Sequence, residues 1–238
     1  MTSETYSIEP IGILHSPFKE KFAIPRQPRL VPEAIGRLKL VGPYNNEALV
    51  RELRQFSHLW LLFMFHQNLD KGWTPTIRPP RLGGNKKVGV LASRSTFRPN
   101  GIGLSAVELL DIIHTKKEGV ELVLGGVDLL DQTPIIDIKP YLPYSDIITE
   151  ANGGFATERP AHTMTVSFTS SALVECQQHQ QRYPGLQTLI EKLLIEDPRP
   201  AYKKGSDKAQ SYGVKLYDLN VTWEVVGEHT VVTSITDR

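Results

Sequence analysis

From the N-terminus to about Tyr144, short apolar runs alternate with turn residues, the pattern of a domain in which each strand buries one face. Strands are predicted over Tyr6–Ile13, Arg37–Val41, Leu59–Phe65, Val88–Ala92, Leu104–His114, Val120–Leu124 and Ile135–Ile138. One helix is predicted among them, Asn45–Phe56, with Leu49 and Leu53 at helical spacing and Asn45 and Asn46 as caps. Strands with a single helix do not alternate as βαβ units, so nucleotide-binding folds with crossover helices are disfavoured and a barrel or sandwich is left. Residues Ser145–Ala161 are polar and contain Asn152-Gly153-Gly154, which reads as a long loop. Beyond it, Ser170–Arg182 and Leu186–Glu196 are predicted helices separated at Pro184-Gly185. Val214–Val226 and Thr230–Ile235 alternate around Gly227 as a hairpin does. The pattern therefore predicts a mainly β chain: a β domain over residues 1–150 and a small α+β domain over residues 160–238.

Composition adds constraints. Thirteen of the seventeen prolines precede residue 144, which loads the first domain with turns. The single cysteine, Cys176, leaves no internal disulfide and no zinc-ribbon spacing, which suits a reducing compartment. The N-terminus lacks the basic and apolar regions of a secretory leader, and no stretch approaches the ~20 apolar residues of a membrane span, so a cytoplasmic protein without membrane contact is expected. The histidines show no H-x-x-x-H spacing, and no metal is expected.

Charge is balanced in total, 27 Lys+Arg against 26 Asp+Glu, but not along the chain. Lys71 to Val107 carries seven basic residues and no acid, and Glu108 to Asp137 then carries seven carboxylates. A basic tract with Trp73 and Phe97 beside its arginines suits a polyanion with unpaired bases, although a solvated surface gives the same count. Three further segments hold candidate chemistry. Arg94 to Leu104 is a loop of two glycines, a proline and an asparagine flanked by Arg94 and Arg98, and it lacks the spacing of a P-loop or dinucleotide fingerprint. Phe65-His66-Gln67-Asn68 ends an apolar strand, where a barrel mouth would place a ligand, while a structural histidine is the plainer alternative. Gly126 to Tyr141 embeds Asp128, Asp131 and Asp137 in an apolar stretch. An Asx turn accounts for Asp131 but not for Asp137, which sits inside a predicted strand.

Six blocks then resemble one family. Ile11-Gly12-Ile13-Leu14-His15-Ser16-Pro17-Phe18-Lys19, Ile24-Pro25-Arg26-Gln27-Pro28, Phe56-Ser57-His58-Leu59-Trp60, Arg81-Leu82-Gly83-Gly84-Asn85, Phe97-Arg98-Pro99-Asn100-Gly101-Ile102-Gly103-Leu104 and Asp137-Ile138-Lys139-Pro140-Tyr141 stand in the order found in the TsaA-like (YaeB, TrmO) methyltransferases. Asp197-Pro198-Arg199-Pro200-Ala201-Tyr202 and Tyr212-Gly213 extend the similarity towards the C-terminus. The resemblance implies a β-barrel enzyme, homodimeric, that uses S-adenosylmethionine to methylate N6 of N6-threonylcarbamoyladenosine at tRNA position 37. Carried onto matching positions, it implies cofactor contacts at Pro25, Arg26, Gln27, His66, Gln67, Arg94, Leu104 and the turn Gln132, Thr133, Pro134 and Ile135. Gly101 departs from the family, which commonly has proline there.

Methyl transfer needs the acceptor nitrogen about 3 Å from the methyl group, in line with sulfur, and a proton must leave that nitrogen. Asp137 and Tyr141 are the sequence candidates to accept it. Lys86, Lys87, Arg94 and Arg98, with Arg199, Tyr202, Lys203 and Lys204 of the second domain, are the candidates for the anticodon stem-loop. The rival readings are a non-catalytic RNA-binding barrel that acts as an adaptor, and a small-molecule enzyme holding an anion between Arg94 and Arg98.

Overall fold

A computed structural model describes residues 4–159, 164–200, 203 and 208–238. Six strands close into a barrel: β1 (Gly12–His15), β2 (Gly36–Leu40), β3 (His58–Met64), β6 (Ile102–Thr115), β7 (Gly119–Gly125) and β8 (Thr133–Pro140), in the order β1-β2-β7-β6-β3-β8 with β8 paired to β1. The short strands β4 (Thr76–Ile77) and β5 (Val88–Gly89) form a separate ribbon. Strand β3 shows why the barrel closes. Leu59, Leu61 and Phe63 point into the core with at most 5% exposure, while Trp60, Leu62 and Met64 point outwards, the two-residue period of a strand apolar on both faces. Leu14, Leu38, Val107, Leu122, Leu124 and Ile135 complete the interior.

A second sheet follows α1 (Pro143–Asp146). It contains β9 (Thr165–Phe168), β10 (Gln210–Leu216), β11 (Leu219–Val226) and β12 (His229–Asp237) in the order β10-β11-β12-β9, with β9 parallel to β12. Helices α2 (Ser170–His179) and α3 (Leu186–Ile195) contribute Ala172, Cys176, Leu189, Ile190 and Leu193 to its core. Thr169 caps α2 by accepting the Ala172 N–H. The two sheets share one seam: Pro17–Lys19 runs beside Lys215–Tyr217, with Phe18 bridged to Leu216 and both side chains buried.

Several expectations change. The helix over Asn45–Phe56 is instead two 3-10 turns, Glu47–Val50 and Leu53–Gln55, separated by Glu52 at φ 64°. Asn45 is drawn away from capping, because its side chain accepts the Val120 N–H and donates to the Glu118 carbonyl at the β6–β7 turn. Val50 is buried and Leu49 is 60% exposed, so the apolar spacing never makes one stripe. The strand over Tyr6–Ile13 begins only at Gly12, and Tyr6 stays exposed. Val88–Ala92 keeps two strand residues and then turns. Val214–Val226 is cut at Tyr217, whose φ of 56° is held by stacking on Tyr183 at 4.2 Å and by donation of its N–H to Pro17 at 2.7 Å.

Gly103 lies directly opposite Phe63 across the β3–β6 pair, and a Cβ there would stand 2.3–2.9 Å from the Phe63 ring. Only glycine lets that ring fill the barrel mouth. Gly103→Ala is expected to lower stability by about 1–3 kcal/mol, the usual cost of overpacking, and urea denaturation would measure it.

Candidate active site

A cleft of about 890 Å³ runs from the outer face of β3 and β6 round to the mouth of the barrel. Its floor is apolar. Trp60, Leu62 and Met64 alternate out of β3, and the cross-strand register sets Leu104 beside Leu62 and Ala106 beside Trp60. Tyr141, just past β8, closes this side, its ring centroid 5.4 Å from Trp60. The opposite wall is the segment 24–29, and the rim carries Arg94, Thr96 and Arg98. An apolar floor with few fixed polar groups is the usual make-up of a small-molecule site.

The polar groups are tied to one another. Arg94 donates to the Gln27 side chain, linking the rim to the 24–29 wall. Buried Asn68 accepts from Lys21 and donates to Thr96, and Lys21 also reaches the Gln67 carbonyl at 3.4 Å. Desolvation, reinforced by Lys71, holds the Lys21 ammonium below its usual range. Desolvation likewise lowers the His66 imidazole, so its ring is neutral at pH 7 and acts as a hydrogen-bonding group rather than a cation.

Asp128 is the one carboxylate on the lining among the described residues. It follows the β7 end at Gly125-Gly126, and its Oδ1 accepts from buried Ser105 at 2.8 Å. Desolvation pushes its carboxyl up to about 6, against the Ser105 hydrogen bond, its own backbone N–H and the charge of Arg94, all of which favour the ionised form. A group titrating near neutrality inside a cleft is poised to exchange a proton.

Most of the cofactor positions expected from the resemblance meet here. Pro25, Arg26, Gln27, His66, Gln67, Arg94, Leu104 and Thr133 all line the cleft. Gln132, Pro134 and Ile135 do not: Gln132 points to His15, Pro134 pairs with Ile13 in the β1–β8 ladder, and Ile135 is fully buried in the barrel core. Tyr141 lines the cleft, whereas Asp137 is paired opposite Leu62 on the same sheet face but outside the lining, its half-exposed carboxylate accepting the Ile138 N–H and lying 4.0 Å from Lys139. Asp131 is a paired residue, bonded to Lys19 at 2.6 Å and to the Ser16 N–H.

Of the proposed RNA contacts, Lys86 and Lys87 are exposed beside β5, and Arg98 is half-buried on the rim with a bond to the Ser93 carbonyl. Arg199 is a correction. It is 3% exposed, with Nε and Nη2 donating to the two carboxylate oxygens of Asp197 at 2.8 and 3.1 Å, so it serves the interior of the second domain. Lys203 is exposed, and Tyr202 and Lys204 lie outside the described residues. Sequence reasoning grouped Asp128 with Asp131 and Asp137 as embedded carboxylates and quoted Trp60 in a family block, but assigned neither a site role. The further signals were an acid two residues after Gly125-Gly126 and an aromatic in an all-apolar run.

A closed antiparallel barrel with an external, ligand-sized cleft puts the protein among the small β-barrels, outside the crossover-helix nucleotide-binding classes. The family described as the tRNA-methyltransferase O N-terminal domain matches residues 13–147, and the TrmO C-terminal domain matches residues 161–238. The chain belongs to the tRNA-methyltransferase O family. It is 51% identical over 221 residues to the tRNA (adenine(37)-N6)-methyltransferase of Escherichia coli, covering 93% of this chain and 94% of that one. It is 38% identical over 178 residues to the human protein of the same description, covering 72% of this chain and 39% of that one. The crystal structure of TrmO from Pseudomonas aeruginosa superimposes with a TM-score of 0.80 at 40% identity, covering 99% of each chain.

The raised Asp128 carboxyl has a stability signature. The folded protein holds this proton up to about pH 6 and the unfolded chain only to about 4, so the desolvation cost is absent below pH 4 and complete above pH 6. Asp128→Asn keeps an oxygen for Ser105 without the charge. It is expected to be more stable than the parent above pH 6, with the difference shrinking to nothing below pH 4 in urea melts across that range.

Proposed function

We propose that this protein transfers the methyl group of S-adenosylmethionine to N6 of N6-threonylcarbamoyladenosine at position 37 of a tRNA anticodon loop, acting as a cytoplasmic homodimer. The observation that carries the reading is the convergence of eight resemblance-derived positions on one apolar cleft whose rim belongs to the acid-free basic tract. The donor set suits the cofactor. The floor accepts apolar atoms, Arg26 and Arg94 suit a carboxylate, Gln27, Gln67 and His66 offer neutral hydrogen bonds, and Asp128 suits a cationic group. When bound, S-adenosylmethionine supplies an electrophilic methyl group.

The chain's own residues then have three tasks. Trp60 and Tyr141 give an aromatic wall against which a purine stacks, fixing the acceptor nitrogen. The apolar floor excludes water from the reacting atoms. Asp128 takes the acceptor's proton, since its carboxyl titrates near the working pH, and Tyr141 is a second group within the cleft able to move a proton. Asp137, on the same sheet face but off the lining, is the alternative base.

Arg94 and Arg98 on the rim, with exposed Lys86, Lys87 and Lys203, supply phosphate contacts, and exposed Trp73 and Phe97 lie on segments joined by the Thr74 N–H to the Phe97 carbonyl. Homodimerisation follows the resemblance, and exposed Tyr144, Ile147 and Ile148 offer apolar surface for it. Among the described residues no helix is long and apolar enough to cross a membrane.

Incubation of purified protein, S-adenosylmethionine and modified tRNA, followed by nucleoside mass spectrometry, tests the reaction. A methyl on threonylcarbamoyladenosine is the expected product, and binding of tRNA without binding of S-adenosylmethionine would instead favour the adaptor. In single-turnover assays Asp128→Asn is expected to slow methylation by roughly 10²–10⁴-fold, with Asp137→Asn near the parent. The reverse ranking would move the base to Asp137. Lys86→Ala and Arg98→Ala are expected to weaken tRNA binding and to flatten its dependence on salt.

A further inference from the structure

The cleft wall at 24–29 belongs to no strand and is held at its two ends. At the far end, the Arg29 N–H donates to the Gly126 carbonyl at 2.9 Å. At the near end the anchor lies in the other domain. The Tyr217 N–H donates to the Pro17 carbonyl at 2.7 Å, the Lys19 N–H to Lys215 at 3.3 Å, and the Lys215 N–H to the Glu20 carboxylate at 3.0 Å, so residues 17–20 lie along β10 as an added edge.

Phe22 then inserts its ring into the second sheet. It stacks on Trp223 of β11 at 5.9 Å and 3°, and on Tyr212 of β10 at 6.1 Å and 22°. Tyr212 and Trp223 stack on each other at 5.9 Å, and Trp223 is 1% exposed. Ala23 comes next, at φ 64° and buried. A left-handed alanine is strained and persists only where its surroundings fix it. The aromatic trio at Phe22 and the Lys21–Asn68 bond, both just N-terminal to it, fix it here. Directly after this turn come Ile24, Pro25, Arg26 and Gln27, all on the cleft.

We infer that the C-terminal domain is a positioning element for the cofactor wall, and that Phe22, docked against Tyr212 and Trp223, fixes the placement of Pro25, Arg26 and Gln27. The inference rests on the proposed use of this cleft for S-adenosylmethionine. Phe22 touches no reacting atom. It acts by removing alternative conformations of the 24–29 segment before ligand arrives, so that binding does not have to order it. Among the described residues, the second domain thus sets cofactor affinity without contributing a side chain to the cleft.

Two measurements on the full-length protein test this. By calorimetry without RNA, Phe22→Ala is expected to bind S-adenosylmethionine about tenfold more weakly, and Phe22→Tyr, which keeps the ring, near the parent. The rate at saturating cofactor should stay within about threefold of the parent, so the defect appears in KM rather than kcat. By hydrogen exchange on the ligand-free protein, the amides of Arg26, Gln27 and Arg29 should exchange faster in Phe22→Ala than in the parent. Tyr212→Leu, at a half-buried position, gives the same readout should Phe22→Ala fail to fold. A folded Phe22→Ala with the parent's affinity and exchange would overturn the inference, as would weaker tRNA binding with unchanged cofactor binding. A parent that binds no S-adenosylmethionine would defeat the proposed function instead, and the exchange result would still decide whether Phe22 orders the wall.

Discussion

Strand β3 is claimed by two environments at once, and the rest of the molecule is arranged around that fact. Its seven residues pair with β6 on one edge, and Leu59 to Phe63 pair with β8 on the other across one register shift at Leu62/Phe63, so the strand is held on both sides and its register is fixed. With register fixed, the inward set Leu59, Leu61 and Phe63 fills the barrel and the outward set Trp60, Leu62 and Met64 becomes a binding floor. A slip of one residue would exchange these sets. The floor of the cleft is therefore a by-product of closing the barrel, and Gly103 marks the point where the two demands meet.

Charge in the cleft is placed where water is scarce. Asp128, His66 and Lys21 each shift towards the neutral form, and desolvation is the leading cause in all three. The result is a pocket with polar groups but little fixed charge at its base and two arginines at its rim. Such an arrangement separates an apolar interior, suited to a reacting base, from an outer surface suited to phosphates.

The second domain joins the barrel through backbone pairing at Phe18 and Leu216 and through ring stacking at Phe22. The segment between this seam and the Gly126 anchor carries the arginine and glutamine of the wall. Arg199 belongs to the interior of the second domain. A guanidinium that looks like a surface contact in sequence is turned inward to meet Asp197, because burying either charge alone would be far more costly.

Two-residue periodicity and turn residues were enough to locate β2, β3, β6 and β7 and to exclude a crossover-helix fold, since a strand's burial pattern is written in its own side chains. The quoted blocks likewise carried the family, and most of the residues they proposed for the cofactor meet on one cleft. What sequence alone left undecided depends on contacts between distant segments. Asn45 leaves its expected cap for the β6–β7 turn, and Tyr217 breaks a continuous apolar run because Tyr183 and Pro17 hold it in a left-handed turn. Asp137 and Asp128 look alike in sequence. Only closure of the barrel leaves one half-exposed outside the cleft and the other desolvated against Ser105 within it, because burial belongs to the packed structure and not to the residue.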